Sequence, residues 1–200
     1  MLRHFADGNR LPTPARRSAD AQDAALIGQV ACGDVAAFEA LYRSYHTRLG
    51  RFLGLMTRQP GVVEEVLNDT LLVVWKRAGS FNGQCKVSTW VFAIAYRTAL
   101  KALRRRDDPF DNDTAAEEPC DEPGPEEQRS IGERRAALAR ALEALSNEQR
   151  SVLVLTYFHD LPYAEIAEIV GCPVDTVKTR AFHGRRRLRA LLSGELRDWL

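Results

Sequence analysis

The sequence predicts an all-α protein: two small helical domains joined by a flexible acidic linker. Three observations carry that prediction. Apolar residues recur at three- and four-residue steps through most of the 200-residue chain. No stretch alternates apolar and polar residues as a half-buried strand does. Between residues 107 and 127 there are ten acidic residues, no basic ones and four of the nine prolines, with almost no large apolar side chains to fold around.

Taken in order, residues 1–22 hold Arg3, Arg10, Arg16 and Arg17 among small polar residues and prolines, which predicts a disordered basic arm. From Asp23 the spacing is helical. Ala25, Ile27, Val30, Ala37, Phe38, Leu41 and Tyr45 keep it, and Leu49, Phe52, Leu53 and Met56 continue it until Gln59-Pro60-Gly61 breaks the chain. Val62, Val66, Leu67, Leu71, Val74 and Trp75 predict a second amphipathic helix running to about Gly79, followed by a loop over 81–87. Ser88 or Thr89 is placed to cap a helix from Trp90 through Arg106. Beyond the acidic stretch, 107–128, further helices are expected over 131–145, 147–159 and 162–170. Gly171-Cys172-Pro173 reads as a turn, and a last long helix runs from Val174 to about Leu192. The predicted domains are therefore 23–106 and 129–200.

Composition excludes several classes. The 45% hydrophobic and 28% charged content is ordinary for globular protein. No window is apolar enough for a membrane span and the first residues lack a secretory signal, so no membrane insertion and a cytoplasmic location are expected. Cys32, Cys85, Cys120 and Cys172 stand far apart, as do the four histidines, so no metal site, cofactor or disulfide framework is expected. No Gly-rich phosphate loop or nucleophile motif points to an enzyme.

The net charge of +1 conceals three blocks. Basic residues outnumber acidic ones by 16 to 8 before Asp107, acidic residues stand alone to Glu127, and basic residues lead by 12 to 9 thereafter. Two basic units thus flank a polyanion. Such a segment serves either as a solvated spacer or as a strand occupying a groove otherwise used by nucleic acid.

A helix, a short turn with Gly171 and a second, Arg-rich helix make a helix-turn-helix, whose second helix enters the DNA major groove. On a helical projection Val174, Val177, Ala181, Gly184, Leu188, Leu191 and Leu192 share one arc, the face expected to pack. Opposite lie Thr176, Thr179, Arg180, His183, Arg186 and Arg187, with Lys178, Arg185 and Arg189 at the margins. Six Lys or Arg and no acid lie between Lys178 and Arg189. That uncompensated charge, beside hydroxyls able to reach bases or phosphates, points to DNA. Early positions of such a helix read base edges and later ones hold backbone. Thr176, Thr179 and Arg180 are assigned to the first role, and Arg185, Arg186 and Arg187 to the second.

The stretch LSNEQRSVLVLTYFHDLPYAEIAEIVGCPVDTVKTRAFHGRRRLRALL resembles region four of bacterial RNA polymerase sigma factors of the sigma-70 family, in particular the small extracytoplasmic-function (ECF) group. The stretch VVEEVLNDTLLVVWKRAGSFNGQCKVSTWVFAIAYRTALKALRRR resembles region two of the same group. With the preceding helices, the resemblance spans about residues 23 to 195. It implies a sigma factor that binds core RNA polymerase, through the largest-subunit clamp helices and the flap, and directs promoter recognition, melting and initiation for a stress or envelope-response regulon. Asn68, Asp69, Leu72 and Trp75 match the positions that dock on the clamp. The loop that accepts a base flipped from the minus-ten element matches Phe81 to Ser88, followed by Thr89-Trp90. There Asn82, Gln84 and Lys86 offer hydrogen bonds while Phe81 and Trp90 offer an aromatic wall. Arg97, Lys101, Arg104, Arg105 and Arg106 would follow promoter backbone, and Thr176, Lys178, Thr179, Arg180, His183, Arg185, Arg186 and Arg187 would meet the minus-thirty-five element. The resemblance also implies an anti-sigma factor as partner.

The sequence departs from the family's common pattern at Asp175, Ala181 and His183, and Cys85 and Lys86 are individual to this loop. A stand-alone helix-turn-helix regulator would explain the last helix equally well. It fits the aromatic loop and the basic N-terminal domain poorly.

Overall fold

The computed structural model describes residues 14–57, 59–106 and 136–192. All regular structure among them is helical: α1 (Pro14–Ala31), α2 (Val35–Met56), α3 (Pro60–Arg77), a 3-10 turn at Ala78–Ser80, α4 (Val87–Arg106), α5 (136–143), α6 (Asn147–Tyr157), α7 (Tyr163–Val170) and α8 (Val174–Leu191). The acidic segment, the N-terminal residues 1–13 and Cys120 lie outside the described residues.

Three boundaries differ from those the sequence predicts. The helix of the first domain begins at Pro14, so the part of the expected arm from Pro14 onward is helical, and Asp20 and Asp23 make contacts described below. The long helical run from Asp23 to Met56 is two helices. Gly33 takes φ 88°, a left-handed conformation open to glycine, and the Asp34 carboxylate then accepts from the backbone N–H groups of Ala36 and Ala37 to cap α2. Finally, α4 starts at Val87, so Ser88 and Thr89 lie within its first turn.

The first domain is α1 to α4. Leu49, Phe52, Leu53 and Met56 are fully buried on α2, each contributing about 1.5–3 kcal/mol relative to exposure. The Tyr45 hydroxyl donates to the Asp23 carboxylate, tying α2 to α1. Burial raises the Asp23 carboxyl above its ordinary range despite that bond, and pushes the Tyr45 hydroxyl up as well. In the second domain α6 and α7 support α8. Ser146 caps α6 by accepting from Gln149 N–H, and Gly171, at φ 69°, ends α7 in the left-handed region.

A single cluster of buried residues runs through both domains, from Ile27 to Leu192. α7 packs along α4, and α6 touches α2. Arg150 of α6, buried, donates to the carbonyls of Leu142, Glu143 and Leu145 and to that of Met56 at the end of α2. One guanidinium thereby satisfies carbonyls left over at two helix C-termini.

Candidate nucleic-acid interface

The turn at Gly171-Cys172-Pro173 sets α8 across α6 and α7. Val177, Ala181, Gly184, Leu188 and Leu192 are buried as the projection predicts, but Val174 and Leu191 remain exposed. Contact is closest at Gly184, where a Cβ would meet Leu153 Cδ1 at 2.9 Å. On the outer side Lys178, Thr179, His183, Arg186 and Arg187 are exposed, and Thr176 is half-buried. Asp175 stands 3.0 Å from the Lys178 ammonium, and the Thr179 hydroxyl donates to the Asp175 carbonyl one turn back.

Two further predicted DNA ligands on α8, both half-buried, are engaged within the protein. Arg185 is half-buried and donates to the Tyr163 hydroxyl at 3.2 Å, so the guanidinium assigned to phosphate turns back onto α7. Burial opposes its charge, yet the hydrogen bonds it donates to Tyr163 and Tyr157 leave its pKa raised. Arg180, also half-buried, places Nη1 3.5 Å from Cys172 Sγ. One residue on this face escaped the sequence reading. Phe182 is 55% exposed beside His183 and lies between Thr179 and Arg186 in helical position, a spacing that could have revealed it.

In the first domain, Phe81 and Trp90 meet edge to face at 5.6 Å and both are partly buried. Asn82 and Gln84 are exposed, with Asn82 Oδ1 accepting from Gln84 N–H at 3.1 Å. Ser88 and Thr89, assigned to the minus-ten element, are instead buried, because α4 begins early enough to turn both into the packed side of its first turn. Among the described residues the Thr89 hydroxyl has no hydrogen-bond partner. Lys86 is enclosed by carboxylates: its ammonium lies 2.5 Å from Glu165 Oε1 on α7 and 3.7 Å from Asp20 Oδ2 on α1. Further along α4, Arg97 and Lys101 are exposed and join Leu100, Arg104 and Arg105 in lining an open basic cleft.

On α3, Asn68, Asp69 and Leu72 are exposed, Leu72 by 47%, while Trp75 is partly buried with its ring 5.1 Å from Phe38. An exposed leucine between polar neighbours suits a partner surface. The partial burial of Trp75 gives it a packing role as well.

Among the described residues no group of His, Cys, Asp and Glu is placed to hold a metal ion, and Cys32, Cys85 and Cys172 are free. No helix of the described residues is long and apolar enough to cross a membrane.

Comparison with known proteins agrees with this two-part layout. Sigma-70 region 2 matches residues 41–108, and sigma-70 region 4 matches 135–188. The RNA polymerase sigma-H factor of Pseudomonas aeruginosa is 30% identical over 88% of this chain and 97% of that protein. The ECF RNA polymerase sigma factor SigM of Mycobacterium tuberculosis is 33% identical over 85% and 84%. In fold, the chain is similar to CnrH, solved with the cytosolic domain of CnrY, at a TM-score of 0.68 and 24% identity over 87% of this chain and 99% of CnrH. It is also similar to the sigma factor RpoE of Bartonella quintana, solved with the anti-sigma factor NepR, at a TM-score of 0.63 and 24% identity over 80% and 99%. With both regions in the family's order and near-full-length relatives on either side, the chain belongs to the extracytoplasmic-function group of the sigma-70 family of RNA polymerase sigma factors.

Proposed function

We propose that this sigma factor docks on core RNA polymerase through the α3 face of Asn68, Asp69, Leu72 and the edge of Trp75, and reads promoter DNA with both domains. Residues 23–106 act as the polymerase and minus-ten module, and 129–200 as the minus-thirty-five module. The observation that carries this reading is the outer side of α8. There Lys178, Thr179, His183, Arg186 and Arg187 stand exposed behind a helix-turn-helix turn, with Asp175 paired to Lys178. Such a face supplies phosphate attraction and hydrogen bonds to base edges together. Asn82 and Gln84 present the polar groups for a minus-ten base, and Arg97, Lys101, Arg104 and Arg105 line a cleft suited to backbone.

The role is positional: the sigma factor selects and opens the promoter while the polymerase does the chemistry. An anti-sigma factor is proposed as partner, on the strength of RpoE, a protein of like fold solved with one. The test is transcription with purified core polymerase on a genomic promoter library. Specific start sites that appear only with this protein support the reading. Tight duplex binding without any initiation would make it a stand-alone regulator.

A further inference from the structure

The closest approach of α8 to α6 is at Gly184, where a Cβ would meet Leu153 Cδ1 at 2.9 Å and Gln149 Cβ at 3.5 Å. A glycine lets the two helices come near, but it has no side chain to stop α8 from turning about its own axis. The next residue supplies that stop. Arg185 Nη1 donates to the Tyr163 hydroxyl at 3.2 Å, and the Tyr157 hydroxyl is a second acceptor. Tyr157 ends α6 and Tyr163 begins α7, so one guanidinium joins α6, α7 and α8. Both rings pack partly buried against the core, and Arg185 is half-buried where Arg186 and Arg187 are exposed.

We propose that Arg185, held by Tyr163 and Tyr157, is a positioning residue for the minus-thirty-five element: it fixes the rotation of α8 and so the register of Thr179, His183 and Arg186 in the major groove. The role rests on the assignment of that face to DNA. Thr179, His183 and Arg186 follow one another at four- and three-residue steps and share a side of the helix. With Arg185 held inward, its neighbour Arg186 is held outward. A rotation of about 20° would carry the outer edge of a helix of about 5–6 Å radius through about 2 Å, enough to break a hydrogen bond to a base edge. The planar, five-donor guanidinium suits two acceptors on different helices, which a point ammonium would not span.

The experiment compares wild type, the Tyr157→Phe/Tyr163→Phe double variant, Arg185→Gln and Arg186→Ala, each as the full chain in holoenzyme. Phenylalanine keeps both rings and removes only the acceptor oxygens, so no charge changes. The probes are a duplex carrying the strongest start site of the wild-type holoenzyme and the same duplex with its upstream element scrambled. Anisotropy across several salt concentrations gives the cognate-to-scrambled affinity ratio and the slope of log affinity against log salt. The tyrosine double variant and Arg185→Gln are each expected to lower the ratio by about fivefold, as the partial loss of a base contact does, with the slope unchanged. Combining them should lower it no further. Arg186→Ala, in contrast, should weaken both duplexes alike and reduce the slope by about one. A mere loss of stability would reduce the active fraction for both duplexes and leave the ratio where it was. An unchanged ratio in the tyrosine double variant, or a slope reduced by about one in Arg185→Gln, overturns the positioning role. If no holoenzyme initiates anywhere, the sigma reading fails, and hydrogen exchange in the free chain decides the clamp by itself. Earlier exchange along α8 in the tyrosine double variant supports it, and unchanged exchange overturns it.

Discussion

The His159 imidazole meets the Phe92 ring edge to face, 5.0 Å between centroids, and stands 6.1 Å from the Phe52 ring, so this half-buried side chain of the turn after α6 packs on aromatic surface of the first domain. Burial, with Arg48 and Arg51 nearby, pushes the imidazole down to about 4 from 6.5. The folded protein therefore favours the neutral ring. Stability from this contact is complete above about pH 6.5 and is lost as the pH falls from there toward 4. The thermal midpoint of the wild type should drop over that window more steeply than that of His159→Gln, followed by circular dichroism. Parallel curves would remove His159 from the acid response.

Arg150 makes a prediction that charge pairing would not. Its guanidinium reaches four carbonyls and, among the described residues, no carboxylate. Arg150→Ala should cost about 3 kcal/mol in urea unfolding, because several buried acceptors lose their donor together. Arg150→Lys should recover less than half, since a point ammonium cannot span acceptors on two helices. A loss below about 0.5 kcal/mol for the alanine variant would show that water replaces the guanidinium without penalty.

The docking face on α3 is separable from the core. Asp69 is exposed while Val66, Leu67 and Thr70 around it are buried. Asp69→Lys should abolish binding to core polymerase in a pull-down and leave the thermal midpoint within about 2 °C of wild type, as surface substitutions do. A large fall in midpoint would assign Asp69 to the fold.

Reading and anchoring on α8 should also separate. Arg180→Ala in the holoenzyme should weaken cognate promoter binding by about 1–3 kcal/mol and relax its sequence preference. Arg186→Ala should weaken cognate and scrambled DNA alike. Equal losses on both templates for both variants would end that division of labour.

Most helices were legible because periodicity is a local property: α3, α7 and α8 lie within a few residues of where the apolar spacing puts them. Gly33 escaped notice because Val30 and Ala37 keep the helical step across the break, so the period alone does not register the left-handed residue between them. The early start of α4 was hidden for a similar reason, as Ser88 and Thr89 look like caps until tertiary packing buries them. The projection placed Thr179, His183, Arg186 and Arg187 on the exposed side of α8, yet could not show the half-burial of Thr176 and Arg180 or Arg185 folding back onto Tyr163, 22 residues away. Nor could any sequence window join Lys86 to Glu165. The composition of the acidic segment suggested two units held apart, whereas the buried cluster is shared between them.

The attachment of Arg150 to Met56 has a mechanical corollary. It is a buried charge–dipole contact, so salt screens it little, whereas the part-exposed ion pair of Lys86 and Glu165 weakens as ionic strength rises. The domains are thus riveted at the end of α2 and only clasped at the minus-ten loop. Moderate salt should swing the second domain about the Arg150 end rather than release it, like a door whose catch yields before its hinge. Hydrogen exchange would register this as earlier loss of protection in the first turn of α4 than at the C-terminal turn of α2. Simultaneous loss at both would mean that the domains part as a unit.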